Sequence, residues 1–130
     1  MFKHKRKKGR GNLTARRRLP LSNALEEIFH LQKEYLSTFK FERYPKSLEE
    51  RISVLCTAII HEATELQDLT SWKWWKTFRG FDKEKAKEEL IDILHFFIQA
   101  CIELDLTPSD LLEIYRAKNY VNRERARSGY

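Results

Sequence analysis

Two long segments carry apolar residues at helical spacing, and this periodicity limits the possible folds more than any other feature of the sequence. In residues 48–66 and 86–104 the apolar positions recur three and four residues apart, which places them on one side of an α-helix. Ser47 and Asp82 precede these segments and suit helix N-caps. We therefore predict two long amphipathic helices. Their apolar stripes are Leu48, Ile52, Leu55, Ile59, Ala63 and Leu66 in the first helix, and Ala86, Leu90, Ile93, Leu94, Phe97, Cys101 and Leu104 in the second.

Two further helices are predicted on either side of this pair. The first runs from about residue 24 to 40, with Asn23 and Glu26 as a capping-box pair. The last follows Thr107 and Pro108 and runs to about residue 125. Only four Gly and three Pro occur in 130 residues, which is few for the turns of a sandwich or barrel. The predicted fold is all-α, a compact bundle of four to five helices in one domain over residues 20–130.

The positive charge of the chain is concentrated at its N-terminus. The net charge is +6, yet residues 1–18 hold nine Lys and Arg and no acid. Removing these nine from the total of 25 leaves 16 basic against 19 acidic side chains in residues 19–130. We therefore assign residues 1–19 to a basic, disordered arm that contacts polyanions weakly. The mildly acidic remainder lacks the basic surface of a nucleic-acid reader.

The cysteines and the apolar runs limit the cellular compartment in which we expect the protein. Cys56 and Cys101 both fall inside apolar helical patterns, so we predict two buried, reduced thiols in a cytosolic protein. No apolar run approaches the roughly 18 residues of a membrane span. The charged N-terminus is not followed by the apolar region of a secretory signal.

An acidic pair is repeated on the two long predicted helices. Glu62 and Glu65 lie three positions apart, as do Glu89 and Asp92, and each pair flanks its apolar stripe. At about 100° per residue both pairs project from the same flank, so they can converge if the stripes pack together. Four adjacent carboxylates repel one another unless a cation lies among them, and hard oxygen ligands suit Mg²⁺ or Mn²⁺. A single E-x-x-E is usually a solvated face, so the repetition is what favours a metal site.

Three other patterns each have an ordinary structural explanation beside a functional one. His61 begins a sequence similar to the zinc motif H-E-x-x-H, but its fifth residue is Glu65, which argues against a zinc protease. Lys118, Asn122 and Arg125 share a helix face that could clamp a polyphosphate, or that is simply a solvated helix end. The tryptophans of residues 71–76 could stack nucleic-acid bases, border a pocket for one base, or belong to the core.

Four stretches together resemble the all-α nucleoside triphosphate pyrophosphatases. Glu62-x-x-Glu65, followed after 23 residues by Glu89-x-x-Asp92, is similar to the metal motif of this superfamily, which joins MazG-type enzymes and dimeric dUTPases. The dUTPase branch is resembled by ELQDLTSWKWWK at 65–76, EELIDILHF at 88–96 and YRAKNYVNRERARSGY at 115–130. The resemblance covers residues 25–130 and is nearest to the compact bacterial and phage form. Ala126 departs from it, since the family usually has Gln there, and the arm has no counterpart.

The resemblance implies Mg²⁺-dependent, or Mn²⁺-dependent, hydrolysis of dUTP and dUDP to dUMP, with release of pyrophosphate or phosphate. This reaction limits uracil incorporation into DNA, and the resemblance implies a cytoplasmic homodimer or higher oligomer in a bacterial or phage-infected cell. Glu62, Glu65, Glu89 and Asp92 would hold the metal, with Glu62 or Glu65 as the general base. The implied phosphate contacts are Lys118, Asn122, Arg125 and Tyr130, and we expect Lys76 to contact phosphate as well. The implied base and deoxyribose contacts are Gln32, Trp74, His95 and Phe96.

Two alternatives stay open at this point. A dCTP pyrophosphatase, or a broader enzyme of the MazG type, would share the acidic pairs and differ in the base pocket. A helical module that binds single-stranded nucleic acid through the tryptophans and the arm would not be an enzyme. Gln32 favours uracil, since an amide can match a base edge that has both a donor and an acceptor. The acidic pairs disfavour the nucleic-acid module, because they would repel a phosphate backbone.

Overall fold

The computed structural model describes residues 21–39 and 41–129, and these residues fold into four α-helices without a β-strand. A short 3₁₀ helix, Phe41–Arg43, joins the first two. The all-α prediction is therefore confirmed, while the basic arm and Tyr130 lie outside the described residues. No described helix combines the length and hydropathy needed to cross a lipid bilayer. The helices are α1 Leu21–Ser37, α2 Leu48–Gln67, α3 Lys83–Glu103 and α4 Pro108–Ser128.

Three of the four predicted helix starts are confirmed by their capping bonds. The Ser47 hydroxyl accepts a hydrogen bond from the backbone N–H of Glu50 at 3.2 Å, and the Asp82 carboxylate accepts one from Lys85 at 3.0 Å. Thr107 and Asp110 form a reciprocal capping box with Pro at the first helical position. The fourth predicted start is wrong. Because residues 21–23 contain no helix breaker, α1 extends back to Leu21, and Asn23 lies within its first turn.

The turn between α3 and α4 depends on one left-handed residue. Asp105 has φ 57°, a conformation that Asp tolerates better than most residues. The backbone N–H of Leu106 then donates to the Cys101 carbonyl at 2.9 Å, which satisfies a carbonyl left over at the helix end. This reversal directs α4 back toward α1.

The core lies between α1 and the C-terminal half of α3. Phe29, Ile98 and Cys101 form its buried cluster, and Ile98 is the deepest residue at 1% exposure. Leu25, Leu94, Ile102, Leu106 and Leu111 pack around them. The prediction that Cys101 is buried is confirmed. The same prediction for Cys56 is wrong: it is exposed, because it follows the buried Leu55 by one position and about 100° around α2.

The apolar stripe predicted on α3 is only partly buried. Leu90, Phe97 and Leu104 are each about half exposed in the single chain, whereas Ile98, outside the predicted stripe, is buried. The physical reason is that α3 packs against both α2 and α1, so its buried residues occupy two directions instead of one narrow stripe. At the start of α2, Leu48 is similarly exposed, and Ala63 is exposed near its end. Large apolar side chains therefore remain on the surface of one chain.

Candidate active site

The packing of α2 against α3 brings three of the four predicted acidic residues together. Glu62 projects from α2, and Glu89 and Asp92 project from α3, as expected for pairs on matching flanks of two packed helices. One carboxylate oxygen of each lies within 4.8 Å of the other two, and all three side chains are half-buried. We call Glu62, Glu89 and Asp92 the acidic cluster. Glu65 is exposed and lies outside this cluster, one helical turn along α2.

The acidic cluster is electrostatically unfavourable without a cation. Burial raises the pKa of Glu62, and the charges of Glu65, Asp92 and Glu89 raise it further. One cation offsets part of this repulsion, since Lys85 Nζ lies 3.7 Å from a carboxylate oxygen of Glu89. Glu62 is therefore a stronger base than an ordinary glutamate, and Glu65 contributes to that even from outside the cluster.

A groove of about 260 Å³ opens between α1 and α3. Its walls are mostly apolar, and its two polar groups are Gln32 from α1 and His95 from α3. Their side chains are joined at 3.0 Å, between Gln32 Oε1 and His95 Nδ1. Apolar walls with a few placed polar groups are typical of small-molecule sites. The apolar lining consists of Ile28, Leu31, Ile91, Leu94 and Ile98.

Beneath the groove runs a polar chain that the sequence analysis missed. Gln32 Nε2 donates to Gln99 Oε1 at 3.2 Å, and Gln99 Nε2 donates to Glu103 Oε1 at 3.0 Å. The Glu103 carboxylate also accepts from the Tyr44 hydroxyl at 2.6 Å and from Arg51 Nε at 2.7 Å. A signal for it was present on α3, because His95, Gln99 and Glu103 recur at intervals of four within an apolar helix.

The connection between α2 and α3 holds the three tryptophans as an aromatic group. Trp72 Nε1 donates to Asp68 Oδ1 at 3.0 Å, which ties the group to the end of α2. Trp75 meets Trp72 and Trp74 edge to face, with ring centroids 6.0 and 5.9 Å apart. Trp74 is 85% exposed and does not line the groove. It also does not line a second cavity of about 420 Å³, whose walls are residues 68–73, 76–80 and 82. Lys76 lines that second cavity and is exposed.

A protein-family match identifies the chain. The sequence model of a family described as dUTPase matches residues 24–109, about two thirds of the chain. The chain belongs to the dimeric, all-α dUTPase family. It is an enzyme of dUTP hydrolysis, which favours the catalytic interpretation over the nucleic-acid-binding module. No curated protein and no solved structure gave a significant match.

The match to the dUTPase family includes the acidic cluster, the groove and the tryptophan connection, but it ends at the start of α4. Lys118, Asn122 and Arg125 lie beyond it and are exposed on α4, which packs against α1. Within residues 21–39 and 41–129, no hydrogen bond or ion pair joins these three side chains to the acidic cluster. Phe96 is half-buried beside His95 but does not line the groove. In the single chain the predicted site residues are thus brought together only in part.

Proposed function

We propose that this dUTPase hydrolyses dUTP and dUDP to dUMP, with release of pyrophosphate or phosphate, and that it depends on Mg²⁺. The observation that carries the proposal is the acidic cluster, in which three half-buried carboxylates approach within 4.8 Å of one another. Such an arrangement costs free energy unless a cation is bound, so a function that requires it is the simplest explanation of its presence.

The donor set of the cluster fits a hard divalent cation. Its three groups are carboxylates, the oxygen ligands that Mg²⁺ and Mn²⁺ prefer, and nitrogen or sulfur ligands are absent from it. Glu62, Glu89 and Asp92 would hold the cation, with Glu65 joining from the next turn of α2. When bound, Mg²⁺ would neutralise the polyphosphate and lower the pKa of the attacking water.

Glu62 is our candidate for the general base. Its pKa is raised by burial and by the neighbouring acids, which moves a carboxylate toward the range useful for proton transfer near neutral pH. A carboxylate oxygen of Glu62 would take the proton of the attacking water, and Glu65, which is exposed, is the second candidate for this role. Lys76, Lys118, Asn122, Arg125 and Tyr130 would contact the phosphate groups.

The groove between α1 and α3 is our candidate base pocket. Gln32 would read the uracil edge through its amide, with His95 beside it and the apolar walls against the ring. Phe96, next to His95 on α3, would lie against the deoxyribose and exclude a 2′-hydroxyl. Trp74 would cover the base from the tryptophan connection. Its 85% exposure in the single chain leaves its ring free to make that contact.

A homodimer or higher oligomer would complete the site. Leu90, Phe97 and Leu104 leave apolar surface exposed on α3, and surface of this kind is typical of association. An α4 helix from a second subunit would bring the Lys118 face to the acidic cluster. Within the described residues, no hydrogen bond or ion pair joins that face of the chain's own α4 to the cluster. We place the enzyme in the cytoplasm, where its nucleotide substrates are.

The test is product release from purified protein with Mg²⁺ and a panel of dUTP, dUDP, dCTP, dTTP and UTP. We expect dUTP and dUDP to be preferred, chelation to abolish turnover, and Glu89→Gln to do the same. Glu84→Gln is the matched control, because Glu84 lies on the same helix, is highly exposed and pairs with Lys87. A preference for dCTP, or turnover that survives both chelation and Glu89→Gln, would contradict the proposal.

A further inference from the structure

Two glutamines are buried side by side beneath the groove. Gln32 is 7% exposed and Gln99 is 5% exposed, and they are the two buried polar side chains of the described residues. A buried amide must place its N–H groups against acceptors and its oxygen against donors. The direction in which each amide points is therefore set by its neighbours.

The donor-to-acceptor direction of the hydrogen bonds that link Gln32, Gln99 and Glu103 is set at Glu103. Burial alone would raise the pKa of Glu103, but hydrogen bonds from Tyr44, Gln99 and Arg51, with the Arg51 charge, outweigh it and lower the pKa. The carboxylate is thus ionised and can only accept hydrogen bonds. Arg51 Nε holds it at 2.7 Å, and Arg51 is itself fixed by the carbonyl oxygens of Pro45 and Lys46.

Because Glu103 can only accept, it fixes the orientation of both Gln99 and Gln32. Gln99 must turn its NH₂ group toward Glu103, at 3.0 Å, so its oxygen faces α1. Gln32 must then turn its NH₂ group toward that oxygen, at 3.2 Å, which leaves its own oxygen facing His95 Nδ1 at 3.0 Å. Reversing Gln32 would set two carbonyl oxygens against each other in a buried site. It follows that His95 carries its proton on Nδ1 when the ring is neutral.

A fixed amide distinguishes uracil from cytosine. At ring positions 3 and 4, uracil has an N–H donor followed by a carbonyl acceptor, and cytosine has a nitrogen acceptor followed by an amino donor. The two bases therefore present opposite orders to the same amide. After its described bonds, Gln32 keeps one N–H and one lone pair for a base in the groove. An amide that rotates freely would match either base, whereas a locked amide matches one.

We infer that Gln99 and Glu103 are positioning residues that lock the Gln32 amide in one direction and so make the site select uracil over cytosine. The inference rests on the proposed base-reading role of Gln32. It adds that the selectivity is held by two side chains that do not line the groove.

The test is the ratio of kcat/KM for dUTP to that for dCTP in Glu103→Gln and Gln99→Met. Glu103→Gln keeps the size of the side chain but supplies an amide that can donate as well as accept. The hydrogen bonds through Gln99 and Gln32 can then run in either direction. Gln99→Met breaks the link with a side chain of similar length. In each variant we expect the ratio to fall about tenfold, the value of one hydrogen bond. The ratio does not depend on the fraction of folded enzyme, because both substrates meet the same preparation.

Tyr44→Phe is the matched control. It removes a hydroxyl that bonds Glu103 and also meets the Gln99 amide, but it leaves the Glu103 carboxylate and its Arg51 partner. That carboxylate still sets the direction of Gln99, so the ratio should stay within about twofold of wild type. A second measurement needs no turnover: ¹⁵N NMR of the free protein, at a pH where the imidazole is neutral, should show His95 protonated on Nδ1. That signature should weaken in Glu103→Gln.

The outcomes separate the inference from the proposed function. If Gln32→Leu abolishes the preference for dUTP while Glu103→Gln and Gln99→Met retain it, the positioning roles are wrong and the base-reading role stands. If Gln32→Leu also retains the preference, Gln32 does not read the base and both ideas fail. A neutral His95 protonated on Nε2 in the wild type would overturn the inference by itself.

Discussion

Replacing Glu62 by Gln should stabilise the metal-free protein at neutral pH while it abolishes dUTP turnover. The substitution keeps the size of the side chain and removes one negative charge from the acidic cluster, where carboxylate oxygens lie within 4.8 Å of one another. In the absence of a cation that charge only repels the neighbouring acids Glu65, Glu89 and Asp92. Function and stability are therefore opposed at this position.

The size of the gain in stability follows from the distance between the carboxylate oxygens. Two unit charges 4.8 Å apart repel by about 3.5 kcal/mol at an effective dielectric of 20 and by about 0.9 kcal/mol in water. Glu62 is only half-buried, so the lower figure applies, and solvent screening limits each pair to about 1 kcal/mol. Relief of the pairs with Glu89 and Asp92 alone gives about 2 kcal/mol, which raises the Tm of a small domain by about 8 °C.

The gain should depend on pH in a defined direction. Folding raises the pKa of Glu62, so the folded state binds its proton more tightly than the unfolded state does. The stability that goes with this proton is fully present below the unfolded value, about 4.3, and is lost as the pH rises through the raised folded value. Glu62→Gln should therefore exceed the wild type in Tm at pH 7, and the difference should disappear on acidification to about pH 4.

The assay is thermal unfolding followed by circular dichroism in EDTA, from about pH 4 to 8. Glu84→Gln is again the control: it removes an exposed acid from the first turn of α3, which should lower the Tm slightly or leave it unchanged. Equal or lower stability of Glu62→Gln at pH 7 would show that the cluster is not under electrostatic strain. A difference that grows on acidification would refute the assigned cause.

Three further outcomes are expected. Mg²⁺ at about 100 times its Kd should stabilise the wild type by about 2.7 kcal/mol in thermal melts, and an equal gain in Glu62→Gln would contradict the metal assignment. Glu103→Ala should cost about 2–4 kcal/mol in urea unfolding, because it leaves the partly buried Arg51 guanidinium without its carboxylate, and a loss below about 0.5 kcal/mol would show that the ion pair is not stabilising. Deletion of residues 1–18 should leave kcat/KM for dUTP nearly unchanged, since every proposed contact lies outside them, and a large loss would place the arm in the reaction.

Local patterns in the sequence were sufficient to predict the helices and one part of the site. Ser47, Asp82 and Thr107 act within three residues of themselves, so their capping roles follow from spacing alone. The approach of Glu62 to the acids of α3 follows from the common flank of two stripes, because the packing of two helices fixes which flanks meet.

Features set by partners distant in sequence could not be predicted. The four-residue spacing of Gln99 and Glu103 hints at a polar row on α3, but it does not reveal the partners of Glu103. Those partners, Tyr44 and Arg51, lie more than 50 residues earlier in the chain. Cys56 shares the apolar surroundings of a core residue, and its exposure depends on which side of α2 faces α3. A hydrophobic pattern shows which residues of a helix are apolar, but it does not show how many other helices pack against them.

The placement of the tryptophans has a spectroscopic consequence. All three indoles of the chain lie in residues 72–75, in the connection between α2 and α3, and the buried cluster of Phe29, Ile98 and Cys101 holds none. Intrinsic fluorescence therefore reports this connection and not the melting of the core. A nucleotide that draws Trp74 out of water should shift the emission to shorter wavelength while the far-ultraviolet dichroism stays constant. Unfolding followed by the two signals should give separate transitions wherever the connection loosens before the helices.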